Sequence, residues 1–125
     1  MDQAPIKEYY PWDKCVADID VLAGKIQAAA QAGNKVFDGV YGIPRGGLIL
    51  AVLLSHKLEL PMLLAPTSKS LVVDDIADTG KTLQHFHDIG TFIVTLYYHQ
   101  QSLIMPSLWL HEKGDKWVVF PWEVE

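Results

Sequence analysis

Residues 71–83, which read LVVDDIADTGKTL, decide the fold of this chain. The first three residues are apolar and two of them are β-branched, so they predict the end of a buried strand. Three acids follow at Asp74, Asp75 and Asp78, and the Thr-Gly-Lys-Thr segment 79–82 then opens a helix-compatible region. A strand, a short polar turn and a helix start gather backbone N–H groups at one point, where the helix dipole also favours an anion. The stretch therefore predicts an anion-binding turn between a strand and a helix.

Gly80-Lys81-Thr82 is how a P-loop ends, but the preceding acids argue against that motif. A P-loop has a glycine five positions before Gly80, and this chain has Asp75 there, whose carboxylate would repel a polyphosphate. Neutral hydroxyls or a divalent cation suit the acids better, with a phosphate held only by the Thr-Gly-Lys-Thr end. A ligand with vicinal hydroxyls at one end and a phosphate at the other is a ribose 5-phosphate.

The same stretch resembles, position by position, the phosphoribosyl-pyrophosphate motif of type I phosphoribosyltransferases. The resemblance implies that Asp74 and Asp75 bind the ribose 2- and 3-hydroxyls. It also implies that Asp78 lies near N7 of a purine, where it acts as the catalytic group that handles the purine proton. The loop that would hold the 5-phosphate consists of Thr79, Gly80, Lys81 and Thr82. The alternative is an ordinary acidic loop between a strand and a helix.

A second informative loop joins a predicted strand over 36–43 to a predicted helix over 48–58; it consists of Pro44, Arg45, Gly46 and Gly47. Taken alone, a Gly-Gly pair after a strand is as typical of a plain tight turn. Beside the acidic motif, it resembles the pyrophosphate loop of the same family, often Ser-Arg-Gly-Gly, with Pro44 in place of the serine. The resemblance implies that Arg45 is a catalytic contact to pyrophosphate and that a cis peptide precedes it.

The C-terminal tail resembles that of bacterial and archaeal xanthine-guanine phosphoribosyltransferases, with a tryptophan, a strand and then Pro-Trp-Glu. In that subfamily the tryptophan stacks on the purine and the backbone of the next residue reads the purine edge. The resemblance implies these roles for Trp117 and Val118, and a flat indole suits a purine face. It also implies that Glu123 joins Asp74 and Asp75 at a metal. The alternative is that Trp117 is a core or interface residue.

Two departures from the family pattern stand out. The family places a lysine on the 6-oxo group of the purine, and the aligned position here is His99. Family members also carry a long flexible hairpin that closes over the reacting centre, and here the connection is only Ala65 to Ser70. We therefore expect weaker selection for 6-oxopurines, together with competent substrate binding and slow turnover.

The remaining pattern predicts one α/β domain over residues 1–125. The resemblance implies the type I phosphoribosyltransferase fold, with a mostly parallel central sheet flanked by helices and a small C-terminal hood. The chain is predicted to begin with an irregular arm over 5–11 and a helix from Trp12 to a Gly33-Asn34 cap. A strand over 36–43, a helix over 48–58 and a strand over 59–64 follow, and then the motif strand. The last predicted elements are a helix over 83–89, a strand over 91–98 and an edge strand over 107–110.

Two side-chain assignments accompany these elements. Three- and four-residue spacing predicts the buried face of the first helix, which comprises Trp12, Val16, Ile19, Leu22, Ala23 and Ile26, with Cys15 beside it as an inert core thiol. His85 and His87 are separated by two residues, so they point to different helix faces and are expected to face solvent rather than bind a metal.

Composition narrows the function classes. The chain has 125 residues and a net charge of −5, which argues against broad nucleic-acid binding. A single cysteine excludes an internal disulfide and favours a reducing compartment. No apolar run reaches the length of a membrane span, and residues 1–5 do not read as a signal peptide, so we expect a cytoplasmic protein without membrane or nucleic-acid partners. We also expect a homo-oligomer, specifically a dimer.

The chemistry that the resemblance implies is displacement of pyrophosphate from C1 of phosphoribosyl pyrophosphate by a nitrogen of a 6-oxopurine, with Mg²⁺ as cofactor. A competing hypothesis is a non-catalytic sensor of phosphoribosyl pyrophosphate or a nucleotide on the same fold, since fold does not fix function. A third is a phosphoacceptor receiver domain, in which paired aspartates also follow a strand. Its acceptor follows a different strand and it lacks the Thr-Gly-Lys-Thr loop, so it fits less well.

Overall fold

The computed structural model describes residues 4–123, and the parts of the chain over 1–3 and 124–125 lie outside the described residues. The absence of a signal peptide over 1–5, predicted above, therefore falls partly outside this range. The elements are β1 Lys7–Tyr9, α1 Trp12–Gly33, β2 Val40–Gly42, α2 Gly46–Leu58, β3 Leu71–Ala77, α3 Lys81–Asp88, β4 Phe92–His99, β5 Leu108–Lys113 and β6 Trp117–Val119.

The central sheet has four parallel strands in the order β2-β3-β4-β5. Helices α1 and α2 cover one face, and their apolar residues share a core with Val73 and Val94. Helix α3 covers the other face, where Leu83 and Phe86 pack with Val72. This confirms the predicted α/β architecture with helices on both sides of a parallel sheet.

Strand β3 lies at the centre of the sheet, and its first three residues are fully buried. A strand that is covered on both faces reads as a continuous apolar run, which is what Leu71 to Val73 provides. The strand does not end at Val73, however, because Asp74, Ile76 and Ala77 continue its pairing with β4, and Asp75 lies within the same strand. The paired acids therefore lie on an extended strand rather than in the predicted polar turn.

Helix α1 ends as predicted, with Asn34 in the left-handed conformation at φ 54°. The prediction of its buried face was partly wrong. Trp12 and Val16 are 49% and 58% exposed, whereas Cys15 is buried with the other predicted residues of this face. The buried stripe follows positions 15, 19, 22 and 26, and this helical spacing leaves position 16 on the solvent side.

The strands predicted beside β3 are shorter than expected. The predicted strand over 36–43 narrows to β2, and Val36 is 85% exposed. The strand predicted over 59–64 is absent from the described chain, where only Met62 makes a single bridge to Val40. Pro61 accounts for this difference, because proline has no N–H to donate to a ladder.

The N-terminal arm, predicted to be irregular, contains β1, which pairs in parallel with β6 to form a separate two-stranded sheet. The hood is therefore built from both ends of the chain rather than from the tail alone. The Tyr10 hydroxyl, which follows β1, donates to Asp18 of α1 at 2.6 Å, and the Tyr97 hydroxyl of β4 donates to Glu8 at 2.9 Å. The first hydrogen bond is buried and fixes the hood to α1, and the second, which is part-buried, fixes it to the central sheet.

None of the helices within residues 4–123 combines the length and the apolar character that a membrane crossing requires.

Candidate active site

The predicted site residues converge at one edge of the sheet. Because β2 to β5 are parallel, their carboxyl ends meet at the same edge, and ligands of open α/β sheets bind there. Three cavities lie along this edge, and neighbouring cavities share lining residues. Asp75 lines the first and the third, while Ile76 and Asp78 line the second and the third. The motif residues thus form one continuous groove.

The first cavity, of about 550 Å³, lies over the loop that precedes α2. Its lining consists of Arg45, Gly46, Ile49, Asp75, Trp122 and Glu123. The peptide between Pro44 and Arg45 is cis, as the resemblance predicted. Gly47 packs so closely on β3 that a Cβ there would overlap the carbonyl oxygen of Val73. This contact brings the N-terminus of α2, with its positive dipole end, beside the acid pair.

The second cavity, of about 120 Å³, lies between the end of β3 and the start of α3, and its lining includes Asp74, Asp78, Thr79, Gly80 and Thr82. Gly80 has a φ of 79°, a conformation that residues with a Cβ rarely adopt. A Cβ there would also lie 2.6 Å from the backbone nitrogen of Leu103. This turn and the first residues of α3 form a small cup that suits a phosphate.

Residues 102–104 support this cup from behind, and sequence reasoning missed them. The Leu103 N–H donates to the Thr79 carbonyl at 2.8 Å, and Ser102 donates to the Ile104 carbonyl at 2.7 Å. No local pattern indicates the contact, because it joins segments more than twenty positions apart in sequence.

The acid pair is electrostatically unusual. Burial, followed by the neighbouring charge of Asp75, raises the pKa of Asp74 to about 8. Burial also raises the pKa of Asp75, although the neighbouring Asp74 carboxyl and the Trp122 indole lower it in part. The Asp75 N–H donates to Asp74 at 2.9 Å. Two part-buried carboxyl groups side by side favour a partner that supplies hydroxyl donors or positive charge.

The Trp122 indole N–H is buried at the wall of the same cavity, where it is near enough to Asp75 to lower the pKa of that carboxyl but forms no hydrogen bond of normal geometry within residues 4–123. The ring stacks on Phe120 with the centroids 5.0 Å apart and the planes 5° from parallel. Trp122 therefore holds a donor at the wall that Arg45 and Asp75 share, a feature the sequence did not indicate.

The third cavity, of about 100 Å³, lies under the hood. Its lining consists of Asp75, Ile76, Asp78, Lys113, Trp117, Val118, Phe120 and Glu123. Trp117 is 51% exposed, so it is not a core residue, and Val118 beside it is buried. The backbone N–H of Phe120 contacts the Glu123 carboxylate at 3.5 Å. The structure thus brings the predicted tail residues to the same groove as the acidic motif.

Asp78 is the centre of a charged cluster at this cavity. The ammonium of Lys113 lies 3.2 Å from each carboxylate oxygen of Asp78, and Nδ1 of His99 lies 3.6 Å from one of them. His99 and Lys113 are register partners at the ends of β4 and β5.

Sequence reasoning missed Lys113 because it ended the edge strand at Leu110. In the structure β5 begins at Leu108 and continues to Lys113. Extending the predicted strand by three residues would have placed this lysine beside His99, since parallel strand ends meet at one edge.

The histidines of α3 are exposed, as predicted. Within residues 4–123, no group of three or more His, Cys, Asp or Glu side chains is arranged to hold a metal ion. A metal at the acid pair would therefore need ligands from a substrate, and this is the usual coordination of Mg²⁺ at phosphate sites.

Another cavity, of about 400 Å³, opens at the opposite edge of the sheet, where Ser70 precedes β3 and Phe92 begins β4. Lys35 and Lys69 are among its lining residues. None of the motif residues lines it.

Comparisons with known proteins agree with this geometry. The chain is 25% identical to the xanthine-guanine phosphoribosyltransferase of Cereibacter sphaeroides over 142 aligned residues, which cover 90% of this chain and 84% of that protein. It is 28% identical to a purine phosphoribosyltransferase of Pyrococcus horikoshii, whose crystal structure matches with a TM-score of 0.79 over 95% of each chain. No family model matches the chain.

A xanthine-guanine-hypoxanthine phosphoribosyltransferase of Helicobacter pylori shares the fold, with a TM-score of 0.80 over 94% of each chain at 19% identity. The chain therefore has the fold of type I phosphoribosyltransferases, and the curated proteins that it matches in sequence are phosphoribosyltransferases. Within that class, its sequence similarity lies with the xanthine-guanine subfamily.

The comparison also bears on the missing hairpin. The aligned span of 142 residues exceeds the 125 residues of this chain, so the Cereibacter sphaeroides protein contains residues that this chain lacks. In the structure, residues 59–70 between α2 and β3 contain only the single bridge of Met62 and no strand pair.

Proposed function

We propose that the chain transfers the 5-phosphoribosyl group from phosphoribosyl pyrophosphate to a 6-oxopurine, either guanine, xanthine or hypoxanthine, and releases pyrophosphate. The observation that carries this proposal is the continuous groove of three cavities at the carboxyl edge of the sheet. Its parts, a glycine loop with arginine, an acid-lined phosphate cup and an aromatic wall, suit the pyrophosphate, the ribose 5-phosphate and the base of the reacting pair.

The phosphate cup would hold the 5-phosphate through the backbone and hydroxyls of Thr79 and Thr82, with Gly80 allowing close approach and Lys81 adding charge. This contact fixes one end of the ribose. Asp74 and Asp75, at the next position along the groove, would accept hydrogen bonds from its 2- and 3-hydroxyls.

Arg45 would bind the departing pyrophosphate, because a planar guanidinium forms paired hydrogen bonds to phosphate oxygens. The N-terminus of α2, which begins at Gly46 and Gly47, would add its positive dipole end to the same group. Negative charge builds up on this leaving group in the transition state, so these donors lower the barrier rather than only improve binding.

Trp117 would stack on the purine and the Val118 backbone would contact its edge. Asp78 is placed between the phosphate cup and this wall, since it lines both cavities. It can therefore accept a purine proton as the ring nitrogen attacks C1. Little other acid–base chemistry is required, and most of the rate would come from positioning.

The acid pair fits Mg²⁺, because two hard, part-buried carboxylates with a neighbouring Glu123 match its preference for oxygen ligands. When bound, the ion would neutralise the negative charge of the pyrophosphate. Asp74 and Asp75 would hold it together with substrate oxygens, whereas Glu123, which the resemblance adds to this set, forms no three-residue ligand group with them within residues 4–123.

The test is formation of nucleotide from phosphoribosyl pyrophosphate and guanine in the presence of Mg²⁺, alongside direct measurement of phosphoribosyl pyrophosphate binding. We expect binding and detectable transfer, and both should fall when Arg45 is replaced by Met. Binding without any transfer would instead support the sensor hypothesis. No binding of phosphoribosyl pyrophosphate would contradict the proposal.

We further propose that residues 1–125 act as one domain, as a homodimer in the cytoplasm. Sedimentation analysis of the purified chain tests the dimer directly.

A further inference from the structure

We propose that Lys113 is the residue that selects 6-oxopurines in this chain, in place of the aligned strand position His99. This inference rests on the proposed function and assigns a specificity role to a residue outside every motif of the sequence. It begins from the position of the Lys113 ammonium between Asp78 and Trp117.

The geometry places Lys113 inside the base cavity. Its side chain is only 13% exposed, and its ammonium lies 5.4 Å from the centroid of the Trp117 ring. Within residues 4–123, Lys113 is the only basic residue among those that line this cavity, and His99 is not one of them. A base that stacks on Trp117 would therefore contact the Lys113 ammonium.

Asp78 orients this ammonium. Both carboxylate oxygens lie 3.2 Å from Nζ, so the carboxylate holds the ammonium by charge-assisted hydrogen bonds. His99 is farther from the same carboxylate, at 3.6 Å. Asp78 thus anchors a cation at the wall where the purine edge would lie, and the four-carbon stem of Lys113 can move the ammonium from the ring face to that edge.

An ammonium discriminates between purines through its chemistry. It has three donors and no acceptor, so it pairs with a 6-oxo group but opposes the donor hydrogens of a 6-amino group. A charged donor of this kind selects for the oxygen by about 10- to 100-fold. The cation that the family pattern places at the end of β4 has therefore moved one strand across the sheet, to the register partner of His99.

The experiment measures Mg²⁺-dependent binding of phosphoribosyl pyrophosphate, GMP and AMP by calorimetry in wild type, Lys113→Met, Lys113→Gln and His99→Met. Lys116→Met is the matched control, because Lys116 is exposed in the same segment. In Lys113→Met we expect GMP affinity to fall about 10- to 100-fold, with AMP and phosphoribosyl pyrophosphate within about two-fold of wild type.

Lys113→Gln retains a neutral donor, so its loss for GMP should be intermediate, and it decides the question if Lys113→Met does not fold. His99→Met and Lys116→Met should keep most of the preference for GMP over AMP. An unchanged preference in both Lys113 variants would overturn the inference, as would equal weakening of all three ligands.

The two proposals fail in different ways. A wild-type chain that binds neither phosphoribosyl pyrophosphate nor GMP would overturn the proposed function together with this inference. Normal binding of phosphoribosyl pyrophosphate with a preference for GMP that depends on His99 would overturn this inference alone.

Discussion

The two ends of the groove are built in different ways. The end that we propose for the phosphoribosyl group is lined by one continuous segment, from Asp74 on β3 through Gly80 to the start of α3, with residues 102–104 packed behind it. The base end combines Asp78 with residues from β4, β5 and β6, including Lys113 and Trp117. Phosphate and ribose are common to all substrates of such an enzyme, whereas the base is what varies. A local motif for the constant part and a non-local assembly for the variable part allow specificity to change without disturbing the phosphate site.

Among the substitutions, Gly80→Ala is expected to distinguish the two ends most clearly by its effect on binding. The positive φ and the overlap with Leu103 should distort the phosphate cup and weaken binding of phosphoribosyl pyrophosphate on the order of 100-fold or more. Gly90→Ala is the matched control, since its φ is 81° but a Cβ there meets nothing within 4 Å. Calorimetric titration of both variants measures the difference, and equal binding in the two would contradict the local character of this end.

The short connection over residues 65–70 affects both ends of the groove. A longer hairpin there would exclude water from the reacting bond, which lies between the two ends. We expect phosphoribosyl pyrophosphate to bind in the micromolar range but to react slowly, with a rate loss on the order of 100-fold relative to enzymes that have a lid, and with some hydrolysis to ribose 5-phosphate. Affinity and single-turnover rate are to be measured on one preparation over a range of protein concentrations.

A rate that rises with protein concentration would indicate that a partner subunit supplies the cover. Fast transfer by a demonstrated monomer would show that the short connection is sufficient.

The acid pair should also affect stability in the absence of ligand. The raised pKa of Asp74 means that, between about pH 4 and pH 8, the folded chain holds a proton that the unfolded chain releases. The free energy of unfolding should therefore fall as the pH rises through this interval. Asp74→Asn should remove much of this dependence and stabilise the chain at pH 8 by on the order of 1 kcal/mol or more.

Urea unfolding at pH 5, 6.5 and 8 measures this effect. Asp115→Asn is a suitable control, because Asp115 is exposed. If the free energy of unfolding changes with pH in the same way in wild type and Asp74→Asn, the acid pair does not destabilise the ligand-free fold.

The smallest effect is expected at His99. Nδ1 of His99 lies 3.6 Å from a carboxylate oxygen of Asp78, but His99 does not line the cavity under the hood. His99→Lys should therefore change the affinity for guanine by no more than about two- to five-fold. A titration of guanine in both proteins measures the difference, and a larger change would contradict a minor role for His99.

The parts of the molecule that could be predicted from sequence are those in which neighbouring residues act together. The motif of residues 71–83, the Arg-Gly-Gly loop with its cis peptide and the Asn34 cap are local patterns, and the structure contains each of them. Strand ends are harder to predict. Asp74 and Asp75 read as a turn because polar residues are typical of turns, but in the structure they extend β3. The strand predicted over 59–64 does not form, because Pro61 has no N–H to donate to the ladder.

The base end depended on contacts between segments far apart in the chain. The arm at Lys7–Tyr9 becomes a strand only because Trp117–Val119 pairs with it, and nothing in its own sequence required that. Lys113 reaches Asp78 because three further residues of β5 pair with β4 and place this lysine beside His99. Hydrophobic periodicity specifies which residues are buried within an element, but the register between strands is set by the packing of the whole sheet. That register, rather than any motif, determines which cation lies beside Asp78 and Trp117.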